Sequence, residues 1–275
     1  MSQQKQRHSS GTKPATPTGP QTRAALLQRA GRKAVPLRKV FVQLPQGSPS
    51  PRHGMLAPFA TAGDLRGMRA YLMVLAASSG QGEGGRTTEL DSLVWARLFD
   101  VHLHAEDSAA RTAAWRTLLR LQTKQLLTCT RTRGSRRISV TLLREDGSGA
   151  PYTRPGVTDK DAYLQLPLAF WLKGFDGKMT MPSLAMLLTV CSARSWEDYP
   201  AERMPDWYGW SADTTERGLK TLLELNLIER RPRFKSAPLT PTGATKFYEY
   251  RPARIMRVSA KAKAAAPTTT AGASA

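Results

Sequence analysis

Trp115-Arg116-Thr117-Leu118-Leu119-Arg120-Leu121 is answered later in the chain by Leu219-Lys220-Thr221-Leu222-Leu223-Glu224-Leu225. Both runs read apolar, basic, Thr, Leu, Leu, charged, Leu, the mark of an internal duplication. Carried backward, the register pairs Asp107 with Ser211, two good N-cap residues whose side-chain oxygens accept from the orphan N–H groups of a following helix. A second echo lies upstream of each run. Phe41-Val42-Gln43-Leu44-Pro45 matches Tyr163-Leu164-Gln165-Leu166-Pro167, each reading as a short alternating strand that a Pro ends.

The same parts recur around both echoes. In the first unit, Asp64 to Ser78 reads as a helix with Leu65, Met68, Tyr71, Leu72 and Leu75 on one face, followed by helices over Glu89 to Phe99 and Asp107 to Gln122. The period then switches to two. Leu126 to Arg133 and Arg137 to Leu143 read as strands, the second with Ile138, Val140 and Leu142 on one side, joined at Gly134-Ser135. In the second unit the helices fall at Met181 to Ser192, Ala201 to Tyr208 and Ser211 to Leu225. Its hairpin spans Leu227 to Phe234 and Thr245 to Tyr250, with Pro238, Pro241 and Gly243 at the tip.

Three helices and a hairpin, with Trp207-Tyr208-Gly209-Trp210-Ser211-Ala212-Asp213-Thr214-Thr215-Glu216-Arg217-Gly218-Leu219, Leu222 and Asn226-Leu227-Ile228 in the second unit, resemble bacterial winged-helix proteins. In those families a Gly-Leu-Ile step leads from the recognition helix into the wing. Here Asn226 replaces the Gly, and Asn tolerates the left-handed conformation of such a helix end. The resemblance covers most of residues 39–250. It implies a mainly α fold with small β wings (α+β): two tandem winged-helix, helix-turn-helix domains between disordered basic tails. The expected divisions are a tail at 1–36, a first domain at 37–147, a linker at 148–160, a second domain at 161–252 and a tail at 253–275. Two such domains between basic tails are similar in layout to plasmid replication initiators.

Charge points to the same class of partner. Lys and Arg outnumber Asp and Glu by 41 to 21, a formal charge of +20 that attracts a polyanion before any specific contact forms. Residues 1–36 hold seven basic residues and no acid, and residues 251–275 hold five and none. Rich in Pro, Thr, Ser, Gly and Ala, these ends read as mobile polycations that add affinity without reading sequence. The two cysteines, Cys129 and Cys191, are far apart and form no C-x-x-C pair, which fits reduced thiols in a cytosol. No stretch reaches the roughly twenty apolar residues of a membrane span, and Met1-Ser2-Gln3-Gln4 does not read as a signal peptide. A cytoplasmic, nucleoid- or plasmid-associated location is expected.

A recognition helix buries one stripe in its own domain and turns the other to the major groove. In the second unit Thr215, Leu219, Leu222 and Leu223 form the expected buried stripe. Ser211, Asp213, Thr214, Glu216, Arg217 and Lys220 are then left toward DNA. Arg217 suits the two acceptors of guanine, and Asp213 or Glu216 suits the cytosine amine. In the first unit the face carries Ser108, Thr112 and Arg116, flanked by Arg111 and Arg120. Arg131, Arg133, Arg136 and Arg137 gather at the first wing, and Arg230, Arg231, Arg233 and Lys235 repeat the pattern on the second, with Glu229 the one nearby acid. Trp95, Trp115, Trp171, Trp207 and Trp210 read mostly as core, Trp210 being the expected exception, free to stack on a base.

Two sharper motifs carry less. Gly80-Gln81-Gly82-Glu83-Gly84-Gly85 fits G-x-G-x-x-G, yet follows a helix and places Glu83 where phosphate would approach, so it reads as a loop. His102-Leu103-His104 resembles the metal-holding pair of rolling-circle nicking nucleases, with Tyr152, Tyr163 or Tyr199 as nucleophile. It lies in a link between helices, where no sheet presents it, and reads as two turn histidines. No catalytic residue, metal or cofactor is expected. The reading is a sequence-selective duplex-DNA binder that initiates replication of a plasmid or other mobile element, with a transcriptional regulator as the alternative. A nicking nuclease and an RNA-binding scaffold are the more distant readings. Expected partners are double-stranded DNA and the replication or transcription machinery, with homodimerisation left open and membranes excluded.

Overall fold

Thr18 opens the first helix through a capping box: its hydroxyl accepts from the Gln21 N–H, and the Gln21 side chain accepts from the Thr18 N–H. Helix α1 (Gly19–Ala30) ends on Gly31 in the left-handed conformation. The structure, a computed structural model, describes residues 15–78, 87–103, 105–156, 161–193 and 195–258. Much of the tail expected at 1–36 is thus folded. Leu26 and Leu27 of α1 are buried, and strand β1 (Ala34–Arg38) follows. Residues 1–14 lie outside the described residues.

The rest of the first half is α2 (Ala57–Thr61), α3 (Leu65–Ala77), β2 (Thr87–Asp91), α4 (Ser92–Leu98), α5 (Asp107–Thr123), β3 (Leu127–Thr130) and β4 (Arg137–Leu142). The second half repeats the order with β5 (Tyr163–Pro167), α6 (Ala169–Leu172), α7 (Met181–Ser192), β6 (Glu197–Asp198), α8 (Met204–Tyr208), α9 (Ala212–Glu224), β7 (Ile228–Ser236) and β8 (Ala244–Pro252). The protein is mixed α/β, with three small antiparallel sheets among the described residues. Two of them share one topology, β2-β4-β3 and β6-β8-β7.

The short leading strands correct two expectations. The helix expected over Glu89 to Phe99 is a strand and then a helix, because Asp91 caps α4 by accepting from the Leu93 N–H at 2.8 Å. Phe41 to Pro45 is not a strand: Phe41 is the last residue of a helical turn at Lys39–Phe41, and Phe41 and Val42 are wholly buried. Its supposed counterpart, β5, instead pairs with β1, placing Pro36 directly opposite Gln165. These are the third residues of two strands that occupy the same place in both halves. The halves therefore meet through this antiparallel ribbon, and one hydrophobic core runs through both.

Two arginine clusters fasten that junction. Arg38 on β1 is wholly buried and donates to Glu145, to Asp161 at 2.8 Å, and to the Thr153 carbonyl and hydroxyl at 2.9 and 2.7 Å. Arg144 adds a second cation on Asp161. The described part of the expected linker, residues 148–156, is accordingly clamped at Thr153, with Pro151 also bridged to Leu143. Residues 157–160 are outside the described residues. In the second cluster Arg23 and Arg69 hold Asp100 and Asp176, tying α1 and α3 to the second half. Past β8, Met256 is buried at the end of one helical turn, Arg254–Met256, so the tail expected from 253 starts as packed chain.

Helices α7 and α9 cross closely. A Cβ added at Gly218 would lie 2.5 Å from the Pro182 carbonyl oxygen and 2.7 Å from Met186 Cγ. Backbone cannot retreat as a flexible side chain does. Gly218→Ala is therefore expected to cost about 1–3 kcal/mol, read as a lower urea midpoint at unchanged slope. The thiols give a second check. Burial pushes Cys129 up to about 11 and Cys191 up to about 12. Iodoacetamide at neutral pH should label neither until denaturant is added, since the thiolate is the nucleophile.

Candidate nucleic-acid interface

Ser211 caps α9 by accepting from the Thr214 N–H at 3.2 Å, and Thr215, Gly218, Leu219 and Leu222 are its buried stripe. Leu223, expected inside, is half-buried. Ser211, Asp213, Glu216, Arg217 and Lys220 are exposed together and Thr214 is half-exposed, so α9 presents the face expected of it. Asp213 and Arg217 form an i,i+4 ion pair at 2.7 Å. Both side chains are well solvated, so the pair holds Arg217 only weakly.

Helix α5 starts differently. Glu106 precedes it without a side-chain cap bond, and Asp107 is its first helical residue, so the Asp107–Ser211 match fails. The true alignment comes from the other end. The Leu126 N–H donates to the Leu121 carbonyl as the Leu227 N–H does to Leu222, and Gln125 and Asn226 both have positive φ. Leu121 thus corresponds to Leu222, Leu118 to Leu219, Thr117 to Gly218 and Ala114 to Thr215, all buried. The echo seen in the sequence is slipped by three residues, nearly one helical turn. In the correct register Arg116 and Arg217 occupy the same exposed position.

Ser108, Thr112, Arg116 and Arg120 line a concavity of about 420 Å³ with Arg66, which α3 contributes and no sequence motif marks. Arg66 is hidden in the sequence because its own helix reads only as core. Arg111 does not join them. It donates to Asp91 at 2.8 Å and to the Ser92 hydroxyl, and so braces the start of α4. At the first hairpin Arg131, Arg133, Arg136 and Arg137 are all exposed around a turn closed by the Ser135 N–H on the Thr132 carbonyl. Arg137 pairs with Glu89 at 2.9 Å, and Arg131 lies over Trp115.

The second hairpin is longer and two-faced. One face carries Glu229 opposite Arg251 and Arg231 opposite Glu249. Both pairs are ion pairs, and Arg231 and Arg251 both lie over the ring of Trp196, a residue that no sequence pattern singles out. Arg233 also reaches Glu249 at 3.5 Å. Glu229 is therefore not the one nearby acid: Glu249, on the partner strand, neutralises much of the expected cluster. The other face carries Arg230 opposite Tyr250, Pro232 opposite Tyr248, and Phe234 opposite Lys246. Arg230 and Lys246 lie over Tyr248 at 4.4 and 5.2 Å. Burial pushes the Tyr250 hydroxyl up, and Arg230 opposes this.

Trp210 is a correction. It is buried, stacks on Tyr208 and donates from its indole N–H to the Thr215 hydroxyl at 3.2 Å, so it cannot stack on a base. Trp95 and Trp171 are buried, and Trp115 and Trp207 are half-buried. His102 sits in the turn after α4, while His104 and Gly80 to Gly85 lie outside the described residues. The Tyr199 hydroxyl is buried and pushed well above its ordinary range by that burial, the opposite of an activated nucleophile. Among the described residues no helix is long and apolar enough to cross a membrane. Compared with known proteins, the chain matches no protein-family model and no curated sequence.

Proposed function

We propose that the chain is a sequence-selective duplex-DNA-binding protein in which two winged-helix units present α5 and α9 to successive major grooves. The observation that carries this reading is the shared position of Arg116 and Arg217, each exposed midway along a copied helix beside a basic hairpin. A guanidinium there can bridge both major-groove acceptors of guanine, as a Lys or an amide does less well. The repeated order of elements and the repeated sheet topology support the winged-helix assignment. Arg66, Arg120 and the first hairpin supply backbone contacts that fix register without reading bases. Joined by β1 and β5, the units would read two unlike half-sites in one bound duplex. Duplicated readers between basic ends suit the repeated sites of a replication origin, and we place the protein there, as an initiator for a plasmid or other mobile element.

Selection from a pool of randomised duplexes tests the reading. It should enrich a motif of two parts spaced by about one helical turn, roughly 10 bp, or a multiple of it. A single short motif, or no enrichment over single-stranded DNA and RNA competitors, would contradict it.

A further inference from the structure

Leu239 is fully exposed at the tip of the second hairpin, and Phe234 is 68% exposed on its cationic face. Both stand where an aqueous ribbon gains nothing from apolar groups. The first hairpin offers a contrast, since its tip, Thr132-Arg133-Gly134-Ser135, carries no large apolar residue.

The tip is also stiff. Pro238 and Pro241 flank Leu239 and Thr240. The Ala237 N–H donates to the Gly243 carbonyl at 2.9 Å, the Thr240 N–H and hydroxyl to the Ala237 carbonyl, and the Gly243 N–H to the Thr240 carbonyl at 3.0 Å. Little conformational freedom remains to be lost on binding.

Charge selects the occupant. Lys235, Lys246, Arg230 and Arg233 approach the tip along both strands, and all are exposed. A protein or membrane-core partner would have to desolvate these cations, whereas a nucleic-acid groove places phosphates on both sides of an inserted tip. Distance agrees. Strand β7 packs on α9, and from Arg230 to its end at Ser236 is six residues, about 20 Å. Half a turn of duplex, from a major groove to the adjacent minor groove, is about 17 Å.

We infer that the Pro238-Leu239 tip, backed by Phe234, enters the minor groove beside the half-site read by α9 and wedges a base step apart, kinking the duplex. This rests on the DNA-binding reading above. A leucine wedge unstacks a step and bends DNA toward the major groove, exposing more of the duplex to the protein. For an origin binder, the same act loosens the helix at a fixed place.

The test uses the full chain and the duplex recovered by the selection, placed at different positions in otherwise identical fragments whose gel mobilities report bending. The wild-type protein should bend it by roughly 20–90°. Leu239→Ala should lose most of the bend with Kd changed by less than about tenfold, since the cost of unstacking offsets much of the affinity that insertion adds. Phe234→Ala should lose part of the bend, and Leu239→Met should retain it. Wild-type binding without bending overturns the inference, as does full bending by Leu239→Ala. A change in sedimentation of the free Leu239→Ala protein, with bending intact, also overturns it and assigns the leucine to an interface between proteins. No duplex binding at all would instead remove the DNA-binding reading, and the wedge with it.

Discussion

Replacing Glu145 with Ala is expected to lower the unfolding free energy by about 3–5 kcal/mol, because it leaves the buried Arg38 guanidinium without its buried carboxylate. Both side chains are wholly out of water, and the pair lies at the junction of the two halves. The pair is costly as well as strong: burial pushes the Glu145 carboxyl above its usual range even with Arg38 beside it. Urea unfolding reads the effect as a lowered midpoint. The double replacement Arg38→Met with Glu145→Leu should recover much of the loss, since apolar residues of similar size remove the uncompensated charge along with its partner. A loss below about 1 kcal/mol for Glu145→Ala would mean that water or Asp161 takes over the cation, and the clamp would not matter to stability.

The second large effect concerns DNA. Arg116→Ala and Arg217→Ala should each weaken binding to the selected duplex by about 1–3 kcal/mol, or about 5- to 150-fold. The two positions lie on separate helices with no common partner, so their effects should add in the double variant. Fluorescence anisotropy at fixed salt measures this. Since neither side chain is buried, the melting temperature should move little. Equal binding by the double variant would rule out both helices as readers.

Periodicity over whole helices was legible. Asp64 to Ser78, Met181 to Ser192 and Ser211 to Leu225 read almost as they fold, because caps at Asp64, Thr180 and Ser211 punctuate strongly patterned runs. Asn226 likewise has the left-handed conformation expected of it. Helix α1 was legible in principle. Its Thr18-x-x-Gln21 capping box, early Pro20 and terminal Gly31 were masked by a Pro- and Thr-rich composition that reads as a tail. Strand β6 is two residues long and carries no period at all.

Pairing over long separations was not legible. Arg38 reads as a surface cation until Glu145 is brought to it by the fold, and Arg231 reads as free until β8 places Glu249 opposite. The slipped echo has the same origin. Leucines recur often enough on these helices that a shift of nearly one turn still matches type with type, and only the hydrogen bonds at the helix ends fix the register.

If two copied helices read two separate halves of one site, each half should answer to its own arginine. Parallel selections from the same random duplex pool, with the wild-type protein, Arg116→Ala and Arg217→Ala, measure this most directly. Each variant should blur one half of the wild-type motif and leave the other intact, with different halves affected. Loss of the same half by both variants, or of neither, would contradict it.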